Sequence, residues 1–117
     1  MLAYKSLRTK KDLDSVYKKG NRVSGIFFSL RFLETKKYPE DLKIGIALGL
    51  NVSKSSVIRN KKRRQIKEII RLNQDKIRRG YWLVALVNKK ILDASYQDIE
   101  KDLLTLFGKV GLLIGKA

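Results

Sequence analysis

The stretch from Ser56 to Leu72 constrains this chain more than any other: Ser-Val-Ile-Arg-Asn-Lys-Lys-Arg-Arg-Gln-Ile-Lys-Glu-Ile-Ile-Arg-Leu. It holds seven basic residues (Arg59, Lys61, Lys62, Arg63, Arg64, Lys67, Arg71) and a single acid, Glu68. With no Gly or Pro, and many side chains that keep rotamer freedom in a helix, it predicts a helix. On that helix Ile66, Ile69 and Ile70 share one face at i, i+3, i+4. Asn60, Arg64, Lys67 and Arg71 share another, with Arg63 at its border. A basic run is commonly no more than a solvated face. Solvated helices, however, normally intersperse Glu among Lys to gain i,i+4 support, and this one barely does. Its like charges repel, a cost that a counter-charged partner relieves. An apolar anchor beside a row of cations reads as a polyanion-binding helix.

The rest of the composition points the same way. The 117 residues suit one domain, 1–117, and 44% hydrophobic content is enough for a core. Against 27 basic residues stand 11 acidic ones, for a net charge of +16. Such a field attracts phosphate backbones and makes affinity steeply salt-dependent. A membrane surface is the other common polyanion, but the charge spreads over several expected elements rather than beside a long apolar segment, which favours nucleic acid. No apolar run reaches the roughly 18 residues needed to span a bilayer. Met1 to Lys11 lacks the apolar core of a signal peptide, so the expected location is cytoplasmic. The chain has no cysteine and no histidine. Disulfides, thiolate or imidazole metal sites and Ser-His or Cys-His catalysis are thereby excluded.

Taken in order, Thr9 to Lys19 predicts a first helix, with Thr9 and Asp12 as a capping-box-like start. Leu13, Val16 and Tyr17 form its apolar stripe, and Gly20 is placed to end it in the left-handed conformation. Asn21 to Ser24 reads as a short strand or an irregular lead-in. Ile26 to Leu33 predicts a strand, with Ile26, Phe28, Leu30 and Phe32 on one face. Thr35 to Asp41 holds the only proline and reads as a loop between antiparallel strands. Leu42 to Leu50 predicts the next strand. Gly45, Ala47 and Gly49 keep one of its faces small, so that a helix, or less commonly a ligand, can approach. Ser53 to Ser56 offers caps for the basic helix, expected to reach about Asp75. After a basic turn at Lys76, Arg78, Arg79 and Gly80, Tyr81 to Val87 is a continuous apolar run suited to a sheet interior. Strand, helix and buried strand then suggest a parallel crossover unit. Ser95 and Asp98 open a last helix whose stripe is Tyr96, Ile99, Leu103, Leu106 and Phe107. Residues 108–117 read as a flexible tail or a docking segment. The expected fold is α+β, a single-domain α-β-β-α-β-α sandwich.

Arg59-Asn60-Lys61-Lys62-Arg63-Arg64 resembles the R-N-x-x-K-R signature of the bacterial ribonuclease P protein subunit. Leu7-Arg8, then Asp12-Leu13, Val16-Tyr17 and Gly20, resemble that family's opening helix. Lys43-Ile44-Gly45-Ile46 is similar to its central strand, and Gly80-Tyr81-Trp82-Leu83-Val84 to its last. The resemblance runs through nearly the whole chain in the same order. It implies a ribosomal-protein-like sandwich with a left-handed β-α-β crossover, which general handedness rules would not predict. It also implies a protein subunit without catalytic residues of its own. Its partners would be the ribonuclease P catalytic RNA and precursor tRNA, with Mg²⁺ bound mainly by the RNA, and the product would be tRNA freed of its 5′ leader. No metal site, membrane contact or protein oligomer is expected. Carried over by position, the RNA-binding set is Arg59, Asn60, Lys61, Arg63, Arg64, Lys67 and Arg71. The leader-binding cleft is Leu13, Tyr17 and Arg31 with Arg63 and Lys67. The chain departs from the family at Gly49-Leu50-Asn51, in place of Ser-Lys-Lys, and at Lys61 and Asn88, each in place of Arg.

Two other functions fit parts of this pattern. A structural, ribosomal-protein-like RNA-binding protein needs the same small basic domain, and only the motif order separates it from the first reading. A protein-only nuclease needs clustered carboxylates for metal ions. The acids here are scattered, with Asp12 and Asp14 on one helix and Asp98, Glu100 and Asp102 on another.

Overall fold

The computed structural model describes residues 4–114. Its strands are β1 (Lys5–Ser6), β2 (Asn21–Ser24), β3 (Phe28–Glu34), β4 (Leu42–Ala47) and β5 (Tyr81–Val87). Its helices are α1 (Lys10–Lys19), α2 (Ser56–Asn73) and α3 (Tyr96–Lys109), with short 3-10 turns at Gln74–Lys76 and Lys89–Asp93. One five-stranded sheet runs β1-β4-β5-β3-β2. The β1–β4 and β4–β5 pairs are parallel, while β2–β3 and β3–β5 are antiparallel. The basic helix α2 is therefore the crossover between the parallel neighbours β4 and β5, as the order of elements suggested.

The sheet is covered on both faces. On one, Ile66, Ile69 and Ile70 of α2 and Ile99, Leu103 and Phe107 of α3 pack against Phe28, Leu30, Ile44 and Leu83. On the other, α1 packs Val16, with Leu7 alongside, onto Trp82 and Val84. Strand β5 feeds both layers, which is why its sequence is apolar without alternation. The small face of β4 is met by the segment that leads into α1: a Cβ on Gly45 would lie 2.9 Å from the Leu7 carbonyl oxygen, with Leu13 Cδ2 of α1 further off at 3.9 Å. Each helix begins on a hydroxyl cap. Thr9 accepts from the Asp12 amide, Ser55 from Ile58 and Ser95 from Asp98. Asp12 uses its own carboxylate on Lys43 Nζ at 3.1 Å, which ties α1 to β4.

Several boundaries differ from the sequence expectations. Strand β1 has only two residues and no pattern of its own, and Asn21–Ser24 is a true strand. Strand β3 begins at Phe28 rather than Ile26, because Gly25 to Phe27 make the hairpin turn, where the Asp102 carboxylate accepts from the amides of Ile26 and Phe27. Strand β4 stops at Ala47 rather than Leu50, and Leu50 is 70% exposed. The loop after β3 joins strands that run antiparallel, as expected, but they are not neighbours, since β5 lies between β3 and β4. Gly20 is extended (φ −80°) rather than left-handed. Glycine is needed there for space: a Cβ would come within 2.7 Å of the Phe32 carbonyl oxygen. Of the two readings of the C-terminal stretch, tail or docking segment, residues 108–114 take the second. Leu112 is fully buried and Leu113 bridges to Ile77, while 115–117 lie outside the described residues.

Candidate nucleic-acid interface

Helix α2 separates its cations into two groups. Asn60, Lys61, Arg64, Lys67 and Arg71 are exposed. Arg59 and Arg63 instead turn back toward the chain that enters the helix: Arg59 Nη1 donates to the Ser53 carbonyl at 2.8 Å and Arg63 Nη2 to the Leu48 carbonyl at 3.1 Å. Arg63 also donates to Asn60 Oδ1 at 3.2 Å, leaving the Asn60 amide NH₂ as its outward group. Lys62 leans toward α3 and donates to the Ala94 carbonyl. Burial, then the charge of Lys61, lowers its pKa, while Asp93 acts against them. Arg71 holds Glu68 through two bonds of 3.0 and 2.8 Å, and these bonds put the Glu68 carboxyl below its usual range. Lys61, Arg64 and Lys67 have no hydrogen-bond or ion-pair partner among the described residues, so their charge is fully available.

Beside this face lies a groove formed by two adjoining hollows. One, of about 160 Å³, is lined by Ser6, Leu7, Arg8, Gly45, Ile46, Arg63 and Lys67. The next, of about 220 Å³, shares Leu7, Gly45 and Ile46 and continues to Leu13, Tyr17, Ala47 and Val84. The structure thus joins Arg63 and Lys67 to Leu13 and Tyr17 across the floor of β4. Arg31 lies outside both hollows, with its guanidinium 5.2 Å over the Tyr17 ring. Tyr17 is 38% exposed, so it is a wall of the groove rather than core. Arg8 joins the site because β1 pairs with β4, and no periodicity in the sequence marks it. Larger hollows of about 570 and 670 Å³ flank α3. They lie away from the exposed cations of α2, so charge rather than volume locates the site.

Arg64→Ala tests the exposed face. Loss of one charged hydrogen bond should weaken RNA binding by about 1–3 kcal/mol with the melting temperature unchanged, and an unchanged dissociation constant would remove Arg64 from the interface.

Fold and surface together define a small basic α+β domain equipped to meet a polyanion. Comparison with known proteins narrows this. The family model for Ribonuclease P matches residues 1–111. The ribonuclease P protein component of Clostridium botulinum (strain 657 / Type Ba4) is 36% identical over 107 residues, 91% of this chain and 94% of that protein. That of Alkaliphilus oremlandii is 33% identical over 113 residues, covering 97% and 96%. The RNase P protein of Staphylococcus aureus has the same fold, with a TM-score of 0.82 at 21% identity over 95% of this chain and 98% of that one. So does that of Thermotoga maritima, with a TM-score of 0.77 at 24% identity, covering 90% and 96%. The chain belongs to the ribonuclease P protein family, as a ribonuclease P protein subunit.

Proposed function

We propose that this subunit docks a catalytic RNA on the exposed cations of α2 and seats the single-stranded 5′ leader of precursor tRNA in the adjoining groove. One observation carries this reading: a single groove holds Arg8, Arg63 and Lys67 at one end and an exposed aromatic ring, Tyr17, at the other. Cations for phosphates and an aromatic face for a base are the usual means of holding a single strand without sequence readout. Arg31 covers one face of Tyr17, which leaves the other for a base. The chemistry falls to the RNA, because this chain supplies no histidine or cysteine. Among the described residues no three acidic groups come together to hold a metal ion. The groove lining is cationic and apolar and does not fit Mg²⁺, so the proposal assigns that ion to RNA phosphates. The protein's part is to neutralise phosphates where two RNAs converge, which lowers the demand for divalent cations, and to hold the leader in line. Among the described residues no helix is long and apolar enough to cross a membrane, and the proposed setting is the cytoplasm.

The test is the preference of the assembled enzyme for precursor over mature tRNA. Tyr17→Ala should reduce that preference by about tenfold, the loss of one stacked base. Full preference in a folded variant would contradict the leader assignment.

A further inference from the structure

The groove described above ends at Tyr17, but its floor continues. Strand register carries one row of side chains across the α1 face of the sheet: Ala47 opposite Leu86, Leu86 opposite Ser29, and Ser29 opposite Ser24. The row beside it runs Gly45, Val84, Arg31 and Arg22, one residue from each strand. Residues directly opposite in register share a face. Arg31 and Arg22 therefore stand on the groove side of the sheet, on β3 and β2. Neighbouring strands are about 4.8 Å apart, so each arginine lies one strand further from the groove.

The pairing of these two arginines is unfavourable in the free protein. Like charges directly opposite in a sheet destabilise it, and no acid answers them, since the ion pairs among the described residues are Lys43–Asp12 and Arg71–Glu68. Arg31 is only partly engaged. It stacks on Tyr17, Nη1 reaches the Tyr17 carbonyl at 3.5 Å, and Nε is buried with no partner. Arg22 is exposed. The floor beside them is small and neutral, with the Ser24 and Ser29 hydroxyls 3.4 Å apart.

We propose that Arg22 and Arg31 form a phosphate subsite for the single-stranded leader, holding one backbone phosphate beyond the nucleotide stacked on Tyr17. The inference rests on the reading of the groove given above and extends it to the far edge of the sheet. Two arginines opposite each other on neighbouring strands can offer one phosphate charge-assisted, bidentate contacts, and the shared anion relieves the repulsion between them. This end of the path reads backbone charge and not base identity.

The test uses the enzyme assembled from this chain and its cognate RNA, with precursor tRNAs carrying one neutral methylphosphonate linkage moved stepwise along the leader. In the wild type, one linkage beyond the stacked nucleotide should cost about tenfold in affinity, the loss of a charged hydrogen bond. Arg22→Ala should lose about tenfold on the unmodified leader and nothing more at that linkage. Arg31→Gln should act at the same linkage, and Arg22→Lys should restore part of the loss. Arg22→Ala removes a like-charge pair, so its melting temperature should not fall. Full leader affinity in Arg22→Ala, or an unchanged penalty at that linkage, would overturn the subsite while leaving the groove intact. A wild type indifferent to every leader linkage would overturn the groove reading and the subsite together.

Discussion

RNA affinity is expected to fall by about three orders of magnitude as monovalent salt rises from about 50 to about 200 mM. Each phosphate neutralised by a protein cation releases condensed counterions, and that release loses its driving force as salt increases. Lys61, Arg64 and Lys67 on α2 are exposed and unpaired among the described residues, and Arg8 stands across the groove. With a net charge of +16, binding dominated by phosphate contacts follows. The ion pairs Lys43–Asp12 and Arg71–Glu68 leave Lys61, Arg64 and Lys67 to a partner. A log–log plot of affinity against salt measures the number of contacts directly. A flat response would mean that apolar and neutral hydrogen-bonding contacts dominate, against the electrostatic account.

The second large effect is on stability. Asp102→Ala should destabilise the fold by about 3 kcal/mol and lower the melting temperature by roughly 10 °C. Asp102 is 7% exposed, and its two oxygens accept from the Ile26 and Phe27 amides at 3.0 and 2.9 Å. Without the carboxylate these two donors lose their partner in a partly buried turn. Asp102→Asn keeps one acceptor and should cost about half as much. Gly25 is part of the same arrangement, since a Cβ there would lie 2.6 Å from Asp102 Oδ1. The turn joins β2 to β3, so this clamp on α3 also holds Arg22 opposite Arg31. A melting temperature unchanged in Asp102→Ala would show that the turn holds itself.

The sequence was most legible where local chemistry and periodicity agree. Hydroxyl caps mark Thr9, Ser55 and Ser95, and the apolar stripe of α2 is buried as Ile66, Ile69 and Ile70. Elements defined by partners were not legible. Strand β1 exists because Lys5 and Ser6 find Lys43 and Ile44 far along the chain, and β5 comes between β3 and β4 only in the folded sheet. Likewise, helical spacing places Arg63 at the border of the cationic face, and the motif resemblance adds Arg59 to the RNA-binding set. Neither can say that their guanidiniums bind the Ser53 and Leu48 carbonyls. Through those bonds the two arginines hold the loop from β4 into α2. Gly20 shows the same limit: the signal for a helix end was right, but a close approach to Phe32, not a left-handed turn, demands the glycine.

The most direct measurement is cleavage of a precursor tRNA by a bacterial ribonuclease P RNA at low Mg²⁺, with and without this protein. The account predicts that the protein strongly stimulates cleavage and that added Mg²⁺ narrows the gap. Tight RNA binding with no stimulation, on the cognate RNA as well, would contradict it and leave a structural RNA-binding protein.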